Sequence, residues 1–160
     1  MKSKIQNLSP QEVLQLAISI ERSNYLSLKT FSQFFEGQNE LDIALRFTEM
    51  ANEELEHEAI LKRRYVEMFG EYQPEAVNVD LDGPERELML NVFKGKDAAF
   101  FDRARKVYEL ALIGENRARE FYQEAATLAG QEPLKLLFNQ LAVMEDNHGA
   151  WLEKKLSQNE

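Results

Sequence analysis

The 160-residue sequence contains no cysteine, and this absence excludes several classes of site. Disulfides, thiolate zinc sites and iron–sulfur clusters all depend on cysteine sulfur. Glycine and proline are also scarce, at 7 and 4 residues, which favours long helices over many short strands. No run approaches the roughly 20 apolar residues of a membrane span, and the N-terminus shows no apolar signal core. We therefore expect a soluble, cytoplasmic protein.

Positively charged residues are also few relative to negatively charged ones. The 19 Lys and Arg residues are outnumbered by 28 Asp and Glu residues, which gives a formal net charge of -9. A broad nucleic-acid-binding face is therefore not expected. The sequence has only 2 histidines, so their positions are informative.

The pattern of caps and stops predicts four helices in a single domain, 1–160. Ser9-Pro10-Gln11-Glu12 is a capping box with proline at the first helical position, and Asn39 and Asp97 can cap later helices. A connector over 71–96 contains a short helix that Pro84 opens. The predicted architecture is an all-α bundle of two hairpins joined by this long crossover, with helices at about 10–36, 39–69, 97–129 and 132–156.

Each predicted helix carries one apolar stripe with three-or-four spacing, and each stripe contains a glutamate. The first two stripes are Leu14, Ala17, Glu21, Tyr25, Leu28, Phe31, Phe35 and Phe47, Met50 or Ala51, Glu54, His57, Leu61. The other two are Tyr108, Ala111, Glu115, Ala118, Tyr122, Ala125 and Phe138, Leu141, Glu145, His148, Leu152. Four carboxylates are thus predicted to face one core.

Both histidines lie in a Glu-x-x-His motif, Glu54 to His57 and Glu145 to His148. Residues i and i+3 share a helix face, so both side chains of a motif can reach one metal region. An isolated buried carboxylate costs several kcal/mol or becomes protonated. Two divalent cations would balance four such charges, and the imidazoles would serve as neutral ligands. The pattern therefore predicts a dinuclear site; iron or manganese suits it, and zinc can substitute.

An internal repeat supports this interpretation. Residues Phe47–His57 align without a gap on Phe138–His148, and Ala17 and Glu21 match Ala111 and Glu115. A repeated hairpin would build a pseudo-symmetric site from two equivalent halves. One helix-borne Glu and one Glu-x-x-His per half is the known ligand pattern of ferritin-like carboxylate proteins.

Over roughly Leu8 to Leu156 the sequence resembles the rubrerythrin branch of the ferritin-like superfamily. The resemblance is strongest in Glu115-Asn-Arg-Ala-Arg-Glu-Phe-Tyr122 and in the Glu145 to His148 motif. It implies a non-haem di-iron centre with two iron ions. The implied terminal ligands are Glu21 and Glu115, the implied bridges Glu54 and Glu145, and the implied imidazole ligands His57 and His148.

Two departures from rubrerythrins affect the expected function. The sequence lacks the cysteine-ligated rubredoxin iron domain, and Leu112 stands where the family's peroxidase centre has an extra Glu. We expect redox chemistry of Fe(II) with peroxide or dioxygen, of the peroxidase or ferroxidase type, using an unidentified external electron donor. The alternative is an iron-handling protein with little or no turnover. Oxygenation of an organic substrate is a third possibility, but no substrate pocket is recognisable.

Other polar and aromatic residues have plainer interpretations. Tyr25 and Tyr122 are candidates for redox residues beside the metals, and equally for core tyrosines with hydrogen-bond partners. Asp146 and Asn147 are candidates for orienting a ligand, but we expect them to be solvent-exposed. Four further glutamates are interpreted as surface charge: Glu49, Glu53, Glu56 and Glu58.

The aromatic content predicts a homodimer. The 10 Phe, 5 Tyr and 1 Trp are many for one bundle to bury, and Phe34, Phe100 and Phe101 fall off the inward stripes. The 71–96 connector could span roughly 85 Å when extended, whereas a helix of about 30 residues is about 45 Å long. It can therefore return to its own chain or pass a hairpin to a partner, so both a swapped and an unswapped dimer are compatible with the sequence.

Overall fold

The structure, a computed structural model, describes residues 5–72 and 100–158. Within them the chain forms four helices and no strand: α1 (Pro10–Gly37), α2 (Leu41–Phe69), α3 (Phe100–Leu128) and α4 (Glu132–Gln158). Helix α1 packs along α2, α3 packs along α4, and α1 also contacts α3. The prediction of an all-α bundle of two hairpins is confirmed. In this described part of the chain, none of the helices has the length and apolar character to cross a bilayer.

Local sequence explains the start of α1 and the end of α2. The Ser9 hydroxyl accepts a hydrogen bond from the Glu12 amide, and the Glu12 carboxylate accepts one from the Ser9 amide, both at 3.1 Å. This is the predicted capping box. Helix α2 ends at Gly70, whose φ of 88° and ψ of -151° suit glycine because it has no Cβ.

The predicted start of α2 at residue 39 is two residues too early. Asn39 has a φ of 63°, which is incompatible with the extended conformation of an N-cap residue. Its amide instead donates to the Glu36 carbonyl at 3.0 Å, and the Glu40 amide donates to the Phe35 carbonyl at 2.9 Å. Asn39 therefore completes the end of α1, and α2 begins at Leu41 without a side-chain cap.

The remaining boundaries agree closely where they can be compared. Helix α4 extends two residues beyond the predicted 156, to Gln158, and α3 ends at Leu128. The predicted short helix after Pro84, the Asp97 cap and all but the first two residues of the 71–96 connector lie outside the described residues.

Two apolar clusters form the core, and a polar layer separates them along every helix. Every residue of the predicted stripes is buried except Tyr25, which is half-buried. On α1, for example, Ile18 belongs to one cluster and Leu28 to the other, with Glu21 between them. Each fully buried Leu or Phe contributes roughly 1.5–3 kcal/mol, so both clusters stabilise the bundle around a costly polar layer.

Candidate metal centre

The polar layer contains four carboxylates and two imidazoles, one carboxylate from each helix. All six predicted ligand residues lie in it, and each is at least 96% buried: Glu21, Glu54, His57, Glu115, Glu145 and His148. The three-residue spacing within each Glu-x-x-His motif places both of its side chains on the inward face. The structure therefore brings together the complete set that the sequence predicted.

The six residues form two overlapping groups. In each group, one ligand atom per residue lies within 4.8 Å of all the others. The first group contains Glu21, Glu54, His57 and Glu145, and the second contains Glu54, Glu115, Glu145 and His148. Glu54 and Glu145 occur in both groups and the other four in one each. This is the arrangement that two metal ions with two bridging carboxylates require.

The two imidazoles present the same nitrogen to the carboxylates. His57 Nδ1 lies 3.2 Å from Glu145, 3.5 Å from Glu21 and 3.6 Å from Glu54. The rings of His57 and His148 are nearly parallel, with centroids 6.5 Å apart and an interplanar angle of 15°. His57 Nδ1 thus contacts carboxylates from both hairpins.

His148 mirrors this arrangement in the second group. Its Nδ1 lies 3.1 Å from Glu54, 3.4 Å from Glu115 and 3.7 Å from Glu145. Its Nε2 points the other way and is hydrogen-bonded to the carboxylate of Glu53. With Nε2 carrying the proton, the lone pair of Nδ1 faces the carboxylates.

Several of these buried atoms have no hydrogen-bond partner among the described residues. They are both oxygens of Glu54, one oxygen each of Glu21, Glu115 and Glu145, and Nδ1 of His148. Unpartnered buried polar atoms are costly and rare in native structures. Six of the nine such side-chain atoms in the described residues belong to the two groups, so this concentration fits a site that holds metal ions. Four carboxylates also match the charge of two divalent cations.

Crowding of like charges perturbs the titration of the metal-free site. Burial and the neighbouring Glu54 carboxylate raise the pKa of Glu21 well above its usual range. Burial, followed by interactions with Glu145, likewise raises the pKa of Glu115. Burial opposes a low pKa at Glu145, but its close contacts with Glu115 and both histidines lower the pKa of this carboxylate below its usual range.

The pKa of each imidazole is raised, whereas burial of an isolated imidazole would lower its pKa. Burial alone lowers their pKa, but the adjoining carboxylates outweigh it and raise the pKa of His57 to about 12. The pKa of His148 is also raised, by the adjoining carboxylates of Glu115, Glu145 and Glu54. Without metal, protons therefore neutralise the cluster, and bound cations would replace them.

The two candidate tyrosines differ in their relation to this layer. The buried Tyr122 hydroxyl donates a hydrogen bond to Glu21. Burial and the Glu21 charge raise the pKa of Tyr122 well above its usual value, so it remains a donor. Tyr25 is half-buried, and its hydroxyl accepts a 3.5 Å hydrogen bond from Lys29.

The surface-charge interpretation is wrong for Glu58 and incomplete for Glu53. Glu58 is 7% exposed and forms ion pairs with Arg22 at 3.7 Å and Lys62 at 3.2 Å. Glu53 contacts His148, a role that no sequence signal identified beyond its position next to Glu54. Both residues lie beside the predicted stripe, so their partners depend on how the helices pack.

The structure agrees with the solvent exposure predicted for the other polar residues beside the cluster. Asp146, Asn147, Glu49 and Glu56 are exposed, and Asp146 pairs with Arg119 at 3.3 Å. Leu112 is half-buried and packs against the second apolar cluster.

Comparisons with known proteins identify the relatives of this arrangement. The family model described as Rubrerythrin matches residues 12–87 and 106–160. No curated protein sequence gives a significant match. The structure is similar to a Rhodobacter capsulatus bacterioferritin, described with a metal-free dinuclear site and haem iron. The TM-score is 0.74 at 20% identity, covering 99% of this chain and 88% of the bacterioferritin.

A second similar structure is an uncharacterized conserved protein from Magnetospirillum magnetotacticum MS-1. Its TM-score is 0.72 at 23% identity, covering 94% of this chain and 95% of that protein. At these identities the two structures establish the fold, and the fold is ferritin-like.

Proposed function

The chain belongs to the rubrerythrin family, and we propose that it is a di-iron protein whose Fe(II) reduces hydrogen peroxide or dioxygen. The observation that carries this proposal is the buried pair of overlapping groups with two shared carboxylates. Glu54 and Glu145 belong to both groups and would be shared by the two ions, while Glu21 and His57 would hold one ion and Glu115 and His148 the other.

Two Fe(II) ions bound here would supply the two electrons that, together with two protons from solvent, convert hydrogen peroxide to two water molecules. The chain contributes position and electrostatics to this reaction. The nearly complete burial of the six residues keeps bulk water away, which strengthens charge interactions within the layer. The Tyr122 hydrogen bond fixes the orientation of Glu21, so this carboxylate is held for metal binding.

Anaerobic loading with Fe(II), followed by air or peroxide, tests the proposal. We expect two iron ions per chain and a near-ultraviolet ferric absorption band after oxidation. The Glu54→Ala variant should lose both, because both groups share this residue. Glu56→Gln is the matched control, since Glu56 is exposed on the same helix. A wild-type protein without two-iron stoichiometry and without the band would contradict the proposal.

An iron-handling protein with little or no turnover is the alternative. Two observations favour it: the sequence has no cysteine for a rubredoxin-type iron, and Leu112 supplies no additional carboxylate. Steady-state peroxide consumption with an external reductant separates the two functions. Turnover well above that of Glu54→Ala supports the enzyme, whereas oxidation that stops after one cycle supports iron handling.

The choice of iron over manganese or zinc is part of the proposal. Carboxylates with two imidazoles suit iron and manganese, and the family favours iron. Metal analysis of protein purified from its native source is the direct measurement, and a dominant metal other than iron would contradict this choice.

A further inference from the structure

One histidine of the centre has a carboxylate behind it. The Glu53 carboxylate is hydrogen-bonded to His148 Nε2, on the side of the ring away from the metal-facing Nδ1. The other oxygen of Glu53 lies 3.7 Å from Nη1 of Arg46. The Arg46 guanidinium in turn lies over the half-buried Trp151 ring, 5.8 Å from its centroid. Glu53 is therefore held between an imidazole and a guanidinium.

Within the two Glu-x-x-His helices, the internal repeat does not reproduce this arrangement behind His57. Aligning the two Glu-x-x-His helices without a gap pairs Glu53 with Met144. Extended in both directions, the alignment pairs Arg46 with Leu137, and Trp151 with Ile60. Each of the three residues that support His148 thus has an aliphatic or thioether counterpart. The pseudo-symmetry of the six ligands does not extend to the residues around them.

A carboxylate behind a metal-binding histidine has defined effects. It fixes the tautomer with the proton on Nε2, orients the ring and increases the electron density at Nδ1. Removing such a partner typically lowers metal affinity by about 10–100-fold. His57 receives no carboxylate from the equivalent position, because that position is Met144.

We propose that Glu53 makes the two metal positions unequal, so that the position at Glu115 and His148 binds a divalent metal more tightly and fills first. Glu53 is then a positioning residue that acts through His148. The inference depends on the proposed metal centre, but not on the oxidation reaction. The competing explanation is an exposed ion pair between Glu53 and Arg46, which would have little effect on metal affinity.

Anaerobic Co(II) titration, followed by visible absorption, tests the inequality. Wild-type protein should bind two Co(II) ions in two resolved steps. Glu53→Gln should weaken the tighter step by about 10–100-fold and leave the other within about 2-fold. Glu56→Gln on the same helix should change neither. Equal steps in the wild type, or an equal loss at both steps in Glu53→Gln, would overturn the inference.

Single-position backgrounds assign the effect to a histidine. His57→Ala retains the Glu115–His148 position, and His148→Ala retains the Glu21–His57 position. Adding Glu53→Gln should lower Co(II) affinity about 10–100-fold in the first background and less than about 2-fold in the second. The same loss in both backgrounds would show a general structural effect and overturn the inference. Absence of Co(II) binding by the wild type would contradict the proposed centre as well.

The tautomer supplies a readout that a purely structural role would not change. In the Zn(II)-loaded protein, nitrogen-15 NMR of the histidine rings should show His148 protonated at Nε2. In Glu53→Gln the solvent exchange of that proton should accelerate, because the charged acceptor is gone. His57 should be unaffected. An unchanged His148 signal in the variant would overturn the role assigned to Glu53.

Discussion

Four carboxylates are buried in this core. Burying them as ions is unfavourable unless protons or cations neutralise their negative charge. In the metal-free protein the neutralising species is the proton, because the pKa of Glu21, Glu115 and both histidines is raised. A bound divalent cation removes the need for those protons. Folding, metal binding and protonation are therefore coupled within this cluster.

Glu115→Ala should lose metal from its position without unfolding the protein. The Glu115 side chain is buried, and its Oε2 has no hydrogen-bond partner among the described residues, so its removal takes away a polar group that the metal-free state leaves unsatisfied. We expect helical circular dichroism to be retained and metal stoichiometry to fall by at least one. The variant should lose about 2.7 kcal/mol of metal-dependent stabilisation at a free metal concentration 100 times Kd. A metal-free variant that melts far below the metal-free wild type would contradict this expectation.

The stability of the metal-free protein should fall as pH rises. The raised pKa of Glu21 and Glu115 gives stabilisation that is complete below the unfolded value of 4.5 and is lost towards the folded value. For His57 the corresponding window extends from 6.5 to about 12. Each proton retained only by the folded state changes stability by about 1.4 kcal/mol per pH unit.

Urea unfolding of metal-free and Zn(II)-loaded protein between about pH 6 and pH 9 checks the sign. The metal-free protein should become less stable across this range. As the pH rises, the Zn(II)-loaded protein should gain stability relative to the metal-free protein, because the ligands bind metal in their deprotonated forms. If the metal-free protein became more stable over the same range, Glu21, Glu115, His57 and His148 would not control the pH dependence of its stability.

At the scale of the helix, α1 and α2 are each followed by a residue with a positive φ. Asn39 closes the α1–α2 turn with a φ of 63°, and Gly70 follows the last residue of α2 with a φ of 88°. A Cβ at Gly70 would meet no neighbouring atom within 4 Å, so any cost of a side chain there comes from backbone conformation.

Gly70→Ala should therefore lose about 1–3 kcal/mol of stability, the usual cost of a non-glycine residue in such a conformation. Gly37→Ala is the matched control. It lies in the last turn of α1, also has open space around its Cβ, and does not have a positive φ. It should be neutral or gain up to about 1 kcal/mol through helix propensity. Urea unfolding of both variants measures the difference, and equal effects would contradict the backbone explanation.

At the scale of the whole molecule, we expect a homodimer. The structure removes part of the support that the aromatic residues gave to this dimer. Phe34 is half-buried against the second cluster beneath the Arg103 guanidinium, and the side chains of Phe100 and Phe101 are not described. Several aliphatic side chains remain more than half exposed: Leu26, Leu41, Leu45, Leu136 and Val143. Sedimentation at micromolar concentration measures the assembly, and a monomer there would refute the dimer.

Exchange of hairpins between chains is a separate prediction to test. The described residues of one chain complete the six-residue cluster, so exchange is not required to form it. Co-refolding Glu21→Ala with Glu115→Ala distinguishes the two forms. An exchanged heterodimer would combine the two unaltered hairpins into one intact site and the two altered hairpins into one doubly damaged site. Without exchange no site is restored, and metal titration of the mixture reports the outcome.

The sequence by itself determined the helices, their inward faces and the six clustered residues. These features are set over short distances: the Ser9 capping box spans one turn, and each stripe follows from the periodicity of a single helix. The repeat then indicated that two equivalent halves face each other. The family resemblance, rather than spacing alone, supplied the bridging roles of Glu54 and Glu145.

Only the tertiary structure decided which neighbouring carboxylates matter. Glu53, Glu56 and Glu58 are indistinguishable as acidic residues beside the stripe. Yet Glu53 contacts His148, Glu58 is buried between two cations, and Glu56 is exposed. The difference arises because a residue at the edge of a helix face meets whatever the adjacent helix presents there. Helix periodicity fixes the direction of a side chain, whereas its partner depends on the packing of helices distant in sequence.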